Sequence, residues 1–148
     1  MKNIKTLDVT LRDGGCVNNF NFGQTYMLQI LRALEESEVD VIELGYIDEK
    51  KGSIRDRTQY INEKVIYNNF LKNKISKIEY VAMIDYEKYD VNNLEKCHED
   101  GIDGIRVAFH KKDRFNIIEY CKTIIKKGYH VYIQPMTIMR YSCLLYTS

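Results

Sequence analysis

Charge of one sign is what the sequence most lacks: 22 lysine and arginine residues stand against 21 aspartate and glutamate residues. A protein that grips nucleic acid or an anionic membrane by bulk electrostatics needs a basic surplus, so neither partner is expected. No apolar run is long enough to cross a bilayer. The N-terminus lacks the apolar core of a signal peptide. The four cysteines, Cys16, Cys97, Cys121 and Cys143, are widely spread, with no CxxC pair and no histidine at zinc-finger spacing. They read as reduced thiols. A soluble cytoplasmic protein is the expectation. No G-x-G-x-x-G follows the first apolar segment, which removes the best argument for a dinucleotide-binding sheet.

What is present centres on Leu7-Asp8-Val9-Thr10-Leu11-Arg12-Asp13-Gly14-Gly15. Ile4, Leu7, Val9 and Leu11 predict a strand. It stops at an adjacent cation and anion followed by two glycines, which free the backbone and let a ligand approach it. Arg12 and Asp13 would then stand at a strand's C-terminal end beside an open turn. A guanidinium there can grip a carboxylate or enolate with its planar fork, and a carboxylate is a hard ligand for a divalent cation. A solvated surface ion pair is the plain alternative.

Further along, Cys16 to Gly23 reads as an asparagine-rich loop carrying Phe20 and Phe22. A helix is expected from Gln24 to Glu36, where Met27, Ile30, Leu31 and Leu34 recur at i, i+3, i+4 and i+7. Asp40 to Tyr46 is nearly continuously apolar, as suits a strand covered on both faces. Ile47 to Gln59 reads as a solvated charged loop, with a weak alternative of a phosphate grip by Arg55 and Arg57. A helix over Tyr60 to Leu71, a strand over Lys77 to Asp85 and a short helix over Val91 to Glu99 follow. The pattern then gives a strand over Asp103 to Phe109, a helix over Arg114 to Lys127 and a fifth strand over Tyr129 to Met136. On the last helix Ile117, Ile118, Cys121, Ile124 and Ile125 are assigned one face. Two lysines and Gly128 supply its stop.

Strand and helix alternate four times before the fifth strand, which implies parallel strands with right-handed crossovers. An open doubly wound sheet and a (β/α)8 barrel both fit this α/β pattern. Polar groups recur where the strands end: Arg12 and Asp13, Glu43 and Tyr46, Asp85, His110, Gln134. In a barrel those ends converge on one mouth, which favours the barrel.

The segments LDVTLRDGG, VIELGY and RVAFH resemble the DRE-TIM metallolyase superfamily, which includes 3-hydroxy-3-methylglutaryl-CoA lyase, 4-hydroxy-2-oxovalerate aldolase and isopropylmalate synthase. The resemblance covers about Lys5 to Met136. It implies a carbon–carbon lyase or aldolase acting on a small 2-oxo acid. It implies a divalent metal, Mn2+ or Mg2+, with Asp13 as a ligand, and Arg12 as stabiliser of a pyruvate-type enolate. Glu43 and His110 lie on strands that line the family's site and take supporting catalytic roles. The plain alternative for Glu43 is a buried carboxylate paired with Arg12, and for His110 an ordinary loop histidine. Cys16 stands where several relatives carry glutamine or histidine, which leaves the general base open. The family's His-x-His pair has no counterpart among His98, His110 and His130.

A whole barrel takes roughly 250 residues, so residues 1–141 read as the N-terminal portion of one, about five strands, with the remaining metal ligands beyond it. The chain alone is then expected to be inactive. Residues 142–148 read as a non-native or disordered tail. A homo-oligomer of the full-length protein is compatible with the sequence. A Claisen-type acyl-CoA condensing enzyme on the same scaffold, or a non-catalytic binding module, are the alternatives.

Overall fold

A computed structural model describes residues 4–50 and 52–141. Six strands form one sheet: β1 (Leu7–Asp8), β2 (Val41–Ile47), β3 (Gln59–Tyr60), β4 (Glu79–Asp85), β5 (Gly104–Phe109) and β6 (His130–Pro135). The main path runs β1-β2-β4-β5-β6, every pairing is parallel, and the two-residue β3 attaches to the end of β2. Each main strand is added on the same side as the last. A doubly wound sheet reverses its order at a switch point, and this one does not. The order therefore decides between the two expected architectures: the chain is a curled α/β half-barrel, the N-terminal portion of a (β/α)8 barrel.

Side-chain alternation divides the sheet into two faces. Ile42, Leu44, Tyr80, Ala82, Ile84, Ile105, Val107 and Phe109 join Met27, Leu31, Ile66, Leu71, Ile117 and Ile124 in one core between sheet and helices. Val41, Glu43, Val81, Met83 and Ala108 are also buried but lie outside that cluster, on the concave face that lines the barrel's interior. Two apolar faces explain why β2 and β4 read as continuous apolar runs.

The long helix α3 (Gln24–Glu36) has the expected bounds, with Met27 and Leu31 buried and Ile30 and Leu34 packed beside them. Other elements differ from the pattern. The opening strand is shorter than expected, because Thr10–Asp13 winds into one helical turn, α1, and Gly15–Asn18 into another, α2. The second long helix starts at Glu63, where Asn62 caps it by accepting the Val65 N–H at 3.3 Å. This α4 (Glu63–Ile66) continues as a π-turn over Tyr67–Leu71, which puts Ile66 and Leu71 on the buried side. Helix α5 (Ile117–Lys126) buries Ile117 and Ile124. Ile118 and Ile125 are 51% and 58% exposed, so the apolar stripe is narrower than its isoleucine content suggests.

The expected helix over Val91 to Glu99 is only a 3-10 turn, Val91–Asn93. Val91 and Leu94 are buried there, one apolar step with no third turn to continue it. Lys127 replaces the helix by donating its ammonium to the Asn92 carbonyl at 3.0 Å and to the Leu94 carbonyl. The Cys97 N–H bonds the Lys127 carbonyl at 2.8 Å. The tail expected at 142–148 lies outside the described residues. No helix among the described residues is long and apolar enough to cross a membrane.

Candidate active site

The site starts where β1 ends. Asp8 accepts both the Thr10 N–H, at 2.9 Å, and the Thr10 hydroxyl, at 3.0 Å, and this starts the α1 turn. Leu11 is fully buried and pins the turn, and its carbonyl accepts the Thr58 hydroxyl at 2.6 Å. Arg12 and Asp13 are thereby presented beyond the strand, from a helical turn rather than from an extended end. The two side chains form an ion pair with each other.

The glycines serve the protein's own atoms. Gly14 has ordinary helical angles. A Cβ on Gly15 would stand 2.3 Å from the Phe20 ring, so the missing side chain lets that ring lie on the backbone. Gly45 has φ +146°, and a Cβ there would meet the Thr58 carbonyl oxygen at 2.3 Å. At this point β2 shifts register against β4, between Glu43 and Tyr46. The shift lets the Tyr46 N–H bond the Thr58 carbonyl at 2.9 Å, bringing the β3 segment over the strand ends.

A cavity of about 280 Å3 opens at these C-terminal strand ends. Arg12, Phe20, Tyr46, Asp48, Gln59, Met83, Asp85, Lys88, Ala108 and Met136 line it. Phe20 and Tyr46 face each other with ring centroids 6.4 Å apart. Burial pushes the Tyr46 phenol up to about 12. Asp85 and Lys88 form an ion pair at 2.8 Å, which leaves their charges mutually offset. Asp48 is buried and accepts the Lys50 N–H at 3.0 Å. The Arg12 side chain is only 18% exposed, and its buried Nε has no hydrogen-bond partner. A buried donor without a partner costs free energy until an acceptor arrives. The cavity thus offers a guanidinium with unused donor capacity, beside two aromatic rings.

On the concave face lies a second polar group. Glu43 is fully buried, and its Oε2 accepts Arg106 Nη1 at 2.9 Å. Arg106 Nη2 donates to Gln134 Oε1 at 2.5 Å. Glu43 Oε1 is buried without a partner. Burial pushes the Glu43 carboxyl up to about 7, against the pull of the Arg106 and Arg12 charges. Its partner is thus Arg106 rather than Arg12.

Of the residues singled out in the sequence, Arg12, Tyr46 and Asp85 line the cavity together. Glu43 and Gln134 meet through Arg106 on the concave face, outside the cavity lining. Asp13 and His110 do not line the cavity either; the Asp13 side chain is 61% exposed, and His110 is exposed before the short turn Lys111–Asp113. Cys16 is exposed on α2. Arg55 donates its Nε to Gln24 at 2.8 Å. Sequence reasoning missed Arg106, although an arginine inside an apolar strand signals a buried anion nearby. It also missed Asp48 and Gln59, hidden in a segment that reads as a solvated loop, and Lys88, between an expected strand and an expected short helix.

A metal centre is a separate matter. Among the described residues no three histidine, cysteine, aspartate or glutamate side chains are grouped so as to hold a metal ion. Asp13 supplies one carboxylate, already paired with Arg12, whereas a hard divalent cation takes about six ligands. The described residues do not make a metal centre by themselves.

Comparison with known proteins places this geometry. No family model matches the chain. Over 52 residues, 35% of the chain, it is 44% identical to 2-isopropylmalate synthase from Geobacillus stearothermophilus, covering 10% of that protein. Among solved structures it is similar to the N-terminal domain of a "putative aldolase" from Bacteroides vulgatus. That likeness has a TM-score of 0.67 and 23% identity, and covers 92% of this chain and 46% of that one. The second likeness concerns the fold alone. The chain spans about a tenth of the curated relative and less than half of the solved domain. Over the shared segment the chain is a distant relative of 2-isopropylmalate synthase. The first likeness is one of sequence over a short segment and the second one of fold.

Proposed function

We propose that this chain belongs to a carbon–carbon lyase or aldolase that handles the enolate of a small 2-oxo acid. The observation that carries the reading is Arg12, held by the α1 turn with donor capacity unused and facing a cavity at the C-terminal ends of parallel strands. Breaking or forming a carbon–carbon bond next to a carbonyl places negative charge on an oxygen. A preorganised guanidinium stabilises that charge more in the transition state than in the ground state. Phe20 and Tyr46 line the same cavity. Glu43, poised near neutral pH and close enough for the Arg12 charge to be felt, is suited to holding or releasing a proton. His110, exposed and outside the cavity lining, takes a supporting part. A divalent metal with Asp13 among its ligands belongs to the same reading; its other ligands would lie outside the described residues.

The test is exchange of the pyruvate methyl protons for deuterium, followed by NMR in Mn2+-containing buffer with the longest natural form of the protein. Enolisation gives exchange without any need to know the second substrate. Arg12→Lys keeps the charge but loses the fork, and is expected to slow exchange more than it raises the pyruvate KM. Unchanged exchange in that variant would leave Arg12 a structural residue. The likeness to a synthase favours a second reading, condensation of an acyl-CoA thioester with a 2-oxo acid. Release of free thiol on mixing the two substrates would distinguish it.

A further inference from the structure

The third crossover leaves a gap in the helical layer. Between β4 and β5 only the turn Val91–Asn93 is helical, so nothing of helix length stands beside α4 there. A cavity of about 300 Å3 occupies the gap, lined among others by Glu63, Lys64 and Tyr67 of α4, Glu95 and Asp100 of the crossover, and Tyr129 before β6. It shares no lining residue with the cavity that contains Arg12. Because the crossover segment and Tyr129 lead into the N-terminal ends of β5 and β6, it sits away from the mouth.

Three carboxylates in its lining, those of Glu63, Glu95 and Asp100, outnumber the Lys64 ammonium, with His98 beside them. Lys64 is committed to Glu95 in an ion pair at 2.8 Å. Asp100 has no ion-pair partner among the described residues. Glu63 is only 9% exposed. Its Oε1 accepts the Glu95 N–H at 3.0 Å, while its Oε2 is buried with no hydrogen-bond partner. An unpartnered buried carboxylate oxygen is costly and is relieved by a charged donor. Tyr67 and Tyr129 add aromatic rings, which attract an organic cation through the negative face of the ring. Since no three metal-ligating side chains are grouped to hold a metal among the described residues, a bare metal ion would lack ligands here.

We infer that this cavity binds a small organic ammonium ion, its N–H groups donating to Glu63 and its carbon chain lying against Tyr67 and Tyr129. The test is equilibrium dialysis of the full chain against labelled 1,4-diaminobutane, with 1,4-butanediol as a neutral competitor of the same length. Saturable binding at one site is expected, with no competition from the diol. Glu63→Gln, which keeps an acceptor for the Glu95 N–H, should weaken binding by about tenfold or more, the loss expected when one charge-assisted contact goes. Tyr67→Leu, at a partly exposed position, should weaken it several-fold and serves if Glu63→Gln fails to fold by circular dichroism. Asp48→Asn, in the other cavity, should leave binding unchanged. Absence of saturable binding, equal competition by the diol, full affinity in the folded Glu63→Gln or Tyr67→Leu protein, or loss of binding in Asp48→Asn would each overturn the inference.

Discussion

Glu43→Gln should flatten the pH dependence of stability. In the folded chain burial holds the Glu43 carboxyl near 7, above its ordinary value of 4.5. Below 4.5 the group is protonated in both folded and unfolded states. Between 4.5 and 7 the folded state keeps a proton that the unfolded state has released. Stability from this group is therefore complete at the acid end and is lost as pH rises through about 7. The gap corresponds to about 3 kcal/mol at roughly 1.4 kcal/mol for each pH unit. Because Glu43 is fully buried, solvent screening does not reduce that figure much. Glutamine imitates the protonated carboxyl and keeps an acceptor for Arg106. Urea unfolding of both proteins at intervals from about pH 4.5 to 8 is the assay. The difference between them isolates this one group from every other titration. The proteins should match at the acid end, and the variant should gain about 3 kcal/mol by the alkaline end, a midpoint rise of about 1–3 M urea at typical slopes. Parallel profiles would refute the argument, since they would mean that Glu43 is ionised in the fold at no cost.

Other consequences follow from the same contacts. Arg106→Met leaves Glu43 buried without its cation and should destabilise the fold by about 3–5 kcal/mol near neutral pH, read by urea midpoint; the loss should shrink in acid, where Glu43 is protonated. Gly15→Ala pushes a Cβ into the Phe20 ring and should cost about 1–3 kcal/mol while lowering affinity for anions in the Arg12 cavity. Titration calorimetry with Mn2+ should show weak or no binding to this chain, since Asp13 is one ligand where about six are needed; tight stoichiometric binding would show that the ligands have been misplaced.

The sequence made some of this legible and concealed the rest for physical reasons. Helix α3 could be read because Met27, Ile30, Leu31 and Leu34 hold one stripe over three turns. The Val91–Glu99 helix could not be ruled out, because its replacement depends on Lys127, a residue more than thirty positions away whose ammonium supplies the donors a helix would have supplied. Glycines 14 and 15 stood out correctly, but for a ligand's approach, whereas Gly15 makes room for Phe20. Arg12 was placed at the mouth because its neighbours announce a strand end. The partner of Glu43 was misread because Arg106 comes from β5, and only the sheet brings the two together. Asp48 sits in a segment whose composition is that of a solvated loop, and only its place just after β2 brings it to the cavity.

The central claim is that Arg12 is an anion site at the barrel mouth, built to hold an enolate. Oxalate, a planar dianion shaped like the enolate of pyruvate, tests it directly by calorimetric titration of this chain and of Arg12→Lys. Saturable binding by the unaltered chain, weakened by about tenfold or more in the lysine variant, is predicted, the loss of roughly 1.4 kcal/mol expected when a planar fork gives way to a point charge. Equal affinity in the two proteins, or no binding by the unaltered chain, would contradict it.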